Sequence, residues 1–499
     1  MTHFTFNTES SLNQIESFPK KFMILVGFVI FADWLFYAQP IGISLALFIV
    51  ALAAAVIFCN SHQNTFRAYV IHIVILLFAL LPLIEDLGFL SVVFGVMGVA
   101  YFTQVVTTDF TPQLSQRLLA LTWLLVSGPV RCFEDIAHAA RAFSNQKRET
   151  SYANKLIIWI VPVVLVAIFT MLFALANPLI GDWLSYIDLW AFIRLVNFNR
   201  LIFWLLMLVA IWPFIFICIP LKPRENTSDD IDQSKDVPRE YNFFGRASIL
   251  RAVLLCNALF AIQTATDIIY LWIGVTLPDG VTYASYAHRG AYLLIVTALL
   301  AGGFVIAAMR PGSAAERSPT VRFLVYIWIA QNVLLVLSSA LRLEAYVEVY
   351  SLTWWRTAAF VWMFLVAAGL IAIIARMALN RPNMWLVSTM LYASMATLYV
   401  CGLIDIPYLM AQYNVAHCRE LTGKGTSLDV AYVIGLGPSA IPALDVYRRR
   451  IPLSDPQKYD RQQLVDELSR DKDNWRSWTF RLSRLRSYVD HQSGAPGDS

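Results

Sequence analysis

The side chains that could do chemistry fall into two sets. The first is polar residues placed inside long apolar stretches: Asp33, His72, Gln263, Asp267 and the adjacent pair Gln331 and Asn332. An ionisable group surrounded by hydrocarbon is expensive, so such a residue marks either a function or a built partner. Asp267 heads the set. It follows Gln263 by four residues, which puts both on one helix face, and it sits close to the end of its apolar stretch. The second set follows directly: Tyr283, Tyr286, His288, Arg289 and Tyr292, in what reads as a tyrosine-rich loop opening the next apolar stretch. Asp267 is expected to pair with Arg289 and tie the two stretches together; the competing expectation is that each reaches water separately. Hydroxyls, imidazole and rings in this loop could hold an anionic or sugar-like headgroup, and an aromatic belt at a membrane interface accounts for the same residues. The stretch Arg342–Arg356 (RLEAYVEVYSLTWWR) has a similar character, with Glu344, Glu348, Tyr350, Trp354, Trp355 and Arg356, and also reads as a loop. Asp33 and His72 suit proton carriage or a buried partner. Gln331 and Asn332 suit a hydrogen bond to a neighbouring helix or a place along a path.

No catalytic set emerges. The His-Glu-x-x-His, Gly-x-Ser-x-Gly and Gly-x-x-x-x-Gly-Lys-[Ser/Thr] patterns are missing, and Gly423-Lys424-Gly425-Thr426 lacks the first glycine and preceding strand of a phosphate loop. Cys59, Cys132, Cys218, Cys256, Cys401 and Cys418 show neither metal-ligand spacing nor a disulfide framework. No metal and no cofactor is expected, and the reading leans away from an enzyme.

The elements that must carry these residues are membrane helices. Of 499 residues, 58% are apolar and only 14% charged, with mean hydropathy +0.59; soluble chains sit near 45–50% apolar and about 25% charged. The net charge of +4 is spread over loops and gives no nucleic-acid footprint. Eleven apolar segments can be laid out: Met23–Tyr37, Ile41–Cys59, Tyr69–Leu83, Phe89–Val106, Leu156–Leu179, Leu201–Leu221, Ala247–Ile273, Gly290–Met309, Phe323–Leu341, Ala358–Ile374 and Met384–Leu403. Leu118–Val130 has 13 residues, about 20 Å of helix, too short to cross a core roughly 30 Å thick; it is placed at the interface or folded into the bundle. Trp183–Asn199 has the spacing of an amphipathic surface helix or a cap on the bundle. The expected fold is an all-α integral membrane protein, a bundle of about 11 transmembrane helices with a small helical extramembrane C-terminal domain.

Its layout reads as an N-terminal tail over 1–20, a first transmembrane half over 21–221, a charged loop over 222–246 and a second half over 247–404. The C-terminal domain occupies 405–492, with a disordered end over 493–499. Lys20 and Lys21 before the first segment read as an uncleaved anchor. Lysines and arginines concentrate in loops that share a side with the N-terminus, so the N-terminus and residues 222–246 are expected inside and the C-terminal domain outside. Were Leu118–Val130 to span, that charge bias would invert. In the tail, Ser454-Asp455-Pro456 resembles a helix start. Trp475, Trp478, Leu482, Leu485 and Val489 recur at helical spacing, opposite Arg476, Arg481, Arg484 and Arg486. In the segment at 290–309, Ala298/Gly302 and Gly303/Ala307 are small pairs suited to close helix packing.

Three blocks together resemble a bacterial family of polytopic membrane proteins known as a domain of unknown function, number 4173, close to number 4153. They are TYASYAHRGAYLLIVTALLAG (282–302), LRLEAYVEVYSLTWWR (341–356), and IDIPYLMAQYNV (404–415) joined to LDVAYVIGLGPSAIPAL (428–444). The second is similar to the family's Tyr-x-Leu-Thr-x-x-Arg ending, with Ser351 where a glycine is expected before Leu-Thr. The third is similar to its Asn-bearing segment and Leu-Asp-x-x-Tyr…Pro-x-Leu tail. The resemblance covers about residues 245–445 and implies a multi-pass protein of the bacterial cytoplasmic membrane, without an activity. The leading functional reading is a non-enzymatic envelope scaffold or sensor, embedded in the lipid bilayer and reaching an envelope protein partner through its C-terminal domain. The alternatives are a transporter or lipid handler using Asp33, Asp267, Gln331 and Asn332, and a membrane enzyme on a lipid-linked substrate.

Overall fold

The computed structural model describes residues 8–60, 69–107, 197–216, 246–273, 283–309 and 317–494, with isolated residues between 121 and 166; side chains at 8–18, 246, 283–295 and 493–494 fall outside the description. The segments Leu118–Val130 (all but isolated residues), Leu156–Leu179, 183–196, 222–245 and 495–499 therefore lie outside it. The described residues form sixteen α-helices with no strand. Seven helices are long and apolar enough to cross a membrane: Ile43–Asn60, Phe89–Thr107, Phe198–Ile215, Ala247–Trp272, Pro319–Tyr350, Trp354–Ala378 and Asn383–Leu403. Leu255, Leu300 and Phe89 present at least 70% of their surface outward, an apolar exposure that a water-soluble monomer does not sustain.

The chain divides into two compact units, Met1–Asn226 with Asn474–Trp478, and Thr227–Asp473 with Thr479–Ser499. The first holds α1 (Thr8–Phe36), α2 (Ile43–Asn60), α3 (Val70–Glu85), α4 (Phe89–Thr107) and α5 (Phe198–Ile215). Helix α4 packs on both α3 and α2, and α1 packs on α5. Leu76, Leu80 and Leu83 line one buried face of α3. Gly98 lets α4 come close, since a Cβ there would lie 2.8 Å from the Ala79 Cβ.

The second unit holds α6 (Arg246–Asp267), continued by a π-helical turn over Ile268–Trp272, then α7 (Tyr283–Ala308), α8 (Pro319–Tyr350), α9 (Trp354–Ala378) and α10 (Asn383–Leu403). Its tail helices are α11 (Ile406–Ala416), α12 (Arg419–Thr422), α13 (Val430–Gly435), α14 (Ile441–Arg448), α15 (Asp455–Arg470) and α16 (Phe480–Gly494). Helix α8 is the axis, packed by α6, α7 and α9. It carries no charged side chain between Arg322 and Arg342, twenty residues that rise about 30 Å, the thickness of a hydrocarbon core. The tail has its own core around Val415, Val433, Ile441, Leu444 and Leu468.

Several helix boundaries differ from those expected; α1, for one, starts at Thr8, inside the stretch read as an N-terminal tail. Tyr283–Arg289, expected as loop, already belong to α7. Helix α8 runs through Arg342–Tyr350, also expected as loop, because Leu343 and Val347 continue the buried face one turn apart after hydropathy has dropped. The tail's last helix starts at Phe480, not Trp475. Asn474 caps a separate 3-10 turn (Trp475–Ser477) by accepting from Arg476 N, and the Thr479 hydroxyl accepts from Leu482 N, which restarts the chain as α16. Helix α16 also extends to Gly494, two residues into the stretch expected to be disordered.

Candidate functional site

Two polar pieces at the same end of α8 make up the candidate site. The first is buried between α6 and α8. Asp267 and Arg342, 1% and 2% exposed, form an ion pair, and Gln263 Nε2 donates to the same Asp267 Oδ1 at 2.9 Å. One turn below Arg342, Ser338 Oγ accepts from Trp272 Nε1 at 3.1 Å. The π turn makes this double stitch reachable. In a regular helix Asp267 and Trp272, five residues apart, would point about 140° away from each other. The wider turn, closed by Ile273 N donating to Ile268 O at 2.9 Å, brings both toward α8. There Ser338 and Arg342 share a face through their four-residue spacing. The side chain of Arg289, expected as the partner of Asp267, lies outside the described residues, as do those of Tyr283, Tyr286, His288 and Tyr292.

The second piece is the three-residue turn between α8 and α9. Ser351 adopts φ 67°, ψ 166°, a region that is essentially glycine territory and costs about 1–3 kcal/mol for other residues. The turn is over-determined by its surroundings. Arg356 Nη1 donates to the Tyr350 and Ser351 carbonyls, and its guanidinium lies 4.7 Å from the Tyr346 ring centre. Asn414 of α11 grips Leu352 from both sides, its Oδ1 accepting from Leu352 N at 2.6 Å and its Nδ2 donating to Leu352 O at 2.9 Å. Trp354 N donates to the Tyr432 hydroxyl at 3.1 Å. Asp429 in turn caps α13 by accepting from Tyr432 N at 2.9 Å. Tyr350-Ser351-Leu352-Thr353-x-x-Arg356, Asn414 and Leu428-Asp429-x-x-Tyr432, separate in sequence, thus meet at one turn. Trp355 stands beside it 84% exposed.

Acidic residues of α8 reach the same neighbourhood. Burial raises the Tyr413 phenol above its ordinary value, and the negative charges of Glu348 and Glu344 push it further. Below the turn, Asp405 caps α11 by accepting from Tyr408 N at 3.0 Å, accepts from Ser439 Oγ at 2.9 Å and pairs with Arg481 at 3.3 Å. Buried Asp445 takes Arg461 at 2.7 Å and Arg448 at 3.0 Å, and accepts from the Tyr488 hydroxyl at 3.3 Å.

The other intramembrane candidates do not join this site. In the first unit, Asp33 pairs with Arg200 and accepts from Trp204 Nε1 at 2.8 Å; His72 Nδ1 lies 3.1 Å from the Tyr101 hydroxyl. In the second, Asn332 donates only to Trp328 O of its own helix, and neither its Oδ1 nor Gln331 Oε1 has a partner. A second side-chain hydrogen bond between α6 and α8, besides Arg342–Asp267, comes from Asn257, whose Nδ2 donates to Leu324 O at 3.0 Å. Of the two small pairs on α7, Ala298/Gly302 faces α9, where a Gly302 Cβ would meet Ile373 at 3.5 Å; Gly303 faces open space. Asn257 was missed because a lone asparagine in an apolar helix carries no pattern; Asn414 entered only as the asparagine of the third resembling block, with no partner expected for it. Arg342 was read as a loop residue, and its position twenty residues after Arg322 on one uninterrupted helix was the available signal.

Among the described residues no group of His, Cys, Asp or Glu is gathered to hold a metal ion. The arrangement is one of matched pairs and clamped backbone. No curated protein and no solved structure matches the chain. A family model, Domain of unknown function (DUF4153), matches residues 22–447. That is the related family, not number 4173, and its match is more than twice as long as the three blocks suggested. The helices long enough to cross a membrane agree with a multi-pass membrane protein. The chain therefore belongs to the family of the domain of unknown function DUF4153.

Proposed function

We propose that this protein is a non-enzymatic scaffold or sensor of the bacterial cytoplasmic membrane, presenting helix ends and a folded tail to an envelope partner. About eleven spans carry it, the N-terminus lies in the cytoplasm and the C-terminal domain lies outside. The observation that carries the reading is the pairing of polar groups one by one between packed helices: Asp267 with Arg342 and Gln263, Trp272 with Ser338, Asp33 with Arg200. A conduction path would instead need such groups to converge on a water-accessible cavity. The tail supports it further, since Asn414 and Tyr432 build the α8–α9 turn into the tail's own framework. The tail then shares that turn's side of the membrane, which the lysine and arginine distribution makes the outer one.

Cysteine accessibility tests the scaffold reading. With native cysteines replaced, Cys placed at Gln263 or Ser338 should resist a membrane-impermeant maleimide in intact cells, while Cys at Trp355 should react. Rapid labelling at 263 and 338 would refute the scaffold and favour transport. Sidedness has its own test: a reporter active only in the cytoplasm, fused after Ser499, should be silent.

A second reading, a transporter or lipid handler, is favoured by one observation. Asn257 Oδ1, Gln331 Oε1 and Asn332 Oδ1 are buried acceptors without partners in the middle of the second bundle, where polar groups are normally satisfied. Labelling of cysteines at 257 and 332 in addition to 263 would select it.

A further inference from the structure

At the end of α8 opposite Asp267–Arg342, the second bundle holds an arginine that the scaffold reading does not use. Arg376 is 1% exposed. Its Nη2 donates to Met309 O, at the end of α7, at 3.2 Å, while Nε and Nη1 have no partner. The surroundings are basic. Arg322 Nη2 reaches Met377 O at 3.1 Å, one residue beyond Arg376, and the Tyr326 hydroxyl at 3.3 Å. Arg381 N donates to Arg376 O at 3.0 Å, closing the end of α9. Ser318, 4% exposed at the start of α8, has a hydroxyl without a partner. Among the described residues no aspartate or glutamate occurs from Arg317 to Leu341 or from Thr357 to Ile404; Glu316, next to Arg317, lies outside the described residues. A guanidinium keeps its charge in a protein, and a buried charge with no counter-ion is strongly disfavoured. Among the described residues the site holds no anion, and the open Nε and Nη1 donors of a buried guanidinium are the charge-assisted kind that hold phosphate oxygens.

We propose that Arg376, assisted by Arg322 and Ser318, binds a phosphate group where α7, α8 and α9 end together. Arg376 supplies charge-assisted N–H donors, Arg322 the second charge and Ser318 Oγ a hydroxyl donor. Arg322 lies about 30 Å from Arg342 along α8, which puts the site at the depth of headgroups rather than of acyl chains. Basic pockets between membrane helices at that depth hold anionic lipid headgroups. A phospholipid and free phosphate share the chemistry, and the experiment separates them.

The test uses the full-length protein in a neutral detergent and follows thermal unfolding while one of two probes is added: inorganic phosphate, or phosphatidylglycerol in mixed micelles. Wild-type protein should unfold at a higher temperature with at least one probe. A response to both identifies a general phosphate site; a response to phosphatidylglycerol alone identifies a lipid headgroup site. Arg376→Met should lose the response, with apparent affinity at least tenfold weaker, while its unfolding temperature without probe stays level or rises because the uncompensated charge is gone. Arg322→Gln should weaken the response about three- to tenfold and serves alone if Arg376→Met does not accumulate. No response of the wild type to either probe would overturn the proposal. So would equal responses of the wild type and Arg376→Met, or of the wild type and Arg322→Gln where that variant stands alone.

Discussion

If Asp267 and Arg342 exist for each other, removing one should hurt far more than removing both. Each is buried to within a few per cent of completeness and sits between apolar helix faces. Asp267→Leu alone removes the carboxylate paired with the buried Arg342 guanidinium, and Arg342→Met alone removes the guanidinium from a buried carboxylate that keeps the Gln263 amide. Breaking a buried pair from one side costs about 3–5 kcal/mol, whereas replacing both members by apolar residues of similar volume is often neutral or stabilising by about 1–4 kcal/mol. The two single losses would add to about 6–10 kcal/mol if the residues were independent. The double variant is expected near wild type, so the cycle should return a coupling of several kcal/mol. Unfolding of purified protein in mixed micelles of increasing denaturing-detergent fraction gives the three free-energy differences. Asp267→Asn supplies a milder single variant should Asp267→Leu fail to accumulate. A double variant as unstable as the sum of its parts would refute the pairing argument. A stable double variant then isolates function from folding, because it keeps the bundle and discards the charge.

Three further outcomes follow from individual contacts. Ser351→Gly should stabilise the protein by about 1 kcal/mol in the same unfolding assay, relief of the left-handed backbone being partly offset by the looser unfolded chain. Gly42→Ala should destabilise the protein by about 1–3 kcal/mol and expose the neighbourhood of Trp475 to limited proteolysis, since a Cβ at Gly42 would sit 2.6 Å from the Ser477 backbone, where Ile43 N donates to Trp478 O. Tyr488, raised above the usual 10.0 by burial and then by the charge of Asp445, should ionise late in a tyrosinate absorbance titration. Its folded state holds the proton more tightly than the unfolded chain, so this contribution to stability is whole below pH about 10 and fades as pH climbs through the raised value. Asp445→Asn should bring the titration part of the way back toward 10, and an unchanged midpoint would show that Asp445 does not act on it.

By itself the sequence determined that lipid is the solvent, because apolar runs of membrane length are a one-dimensional property. It also placed most helices, picked Asp267 with Gln263 from their four-residue spacing and found the capped start of α15 at Ser454, while the family resemblance flagged Ser351 as standing in a glycine's place. What it could not supply were partners distant in the chain. Arg342 lies 75 residues from Asp267, Asn414 lies 62 from Leu352, and Arg200 lies 167 from Asp33. Hydropathy ended α8 a full two turns early because it registers affinity for lipid, and beyond Arg342 the buried face of that helix is covered by protein. The π turn after Asp267 has no sequence signature, yet it decides that Asp267 and Trp272 face the same neighbour. The tertiary structure alone decided which charges meet, since burial makes an unmatched charge intolerable and only packing brings its match within reach.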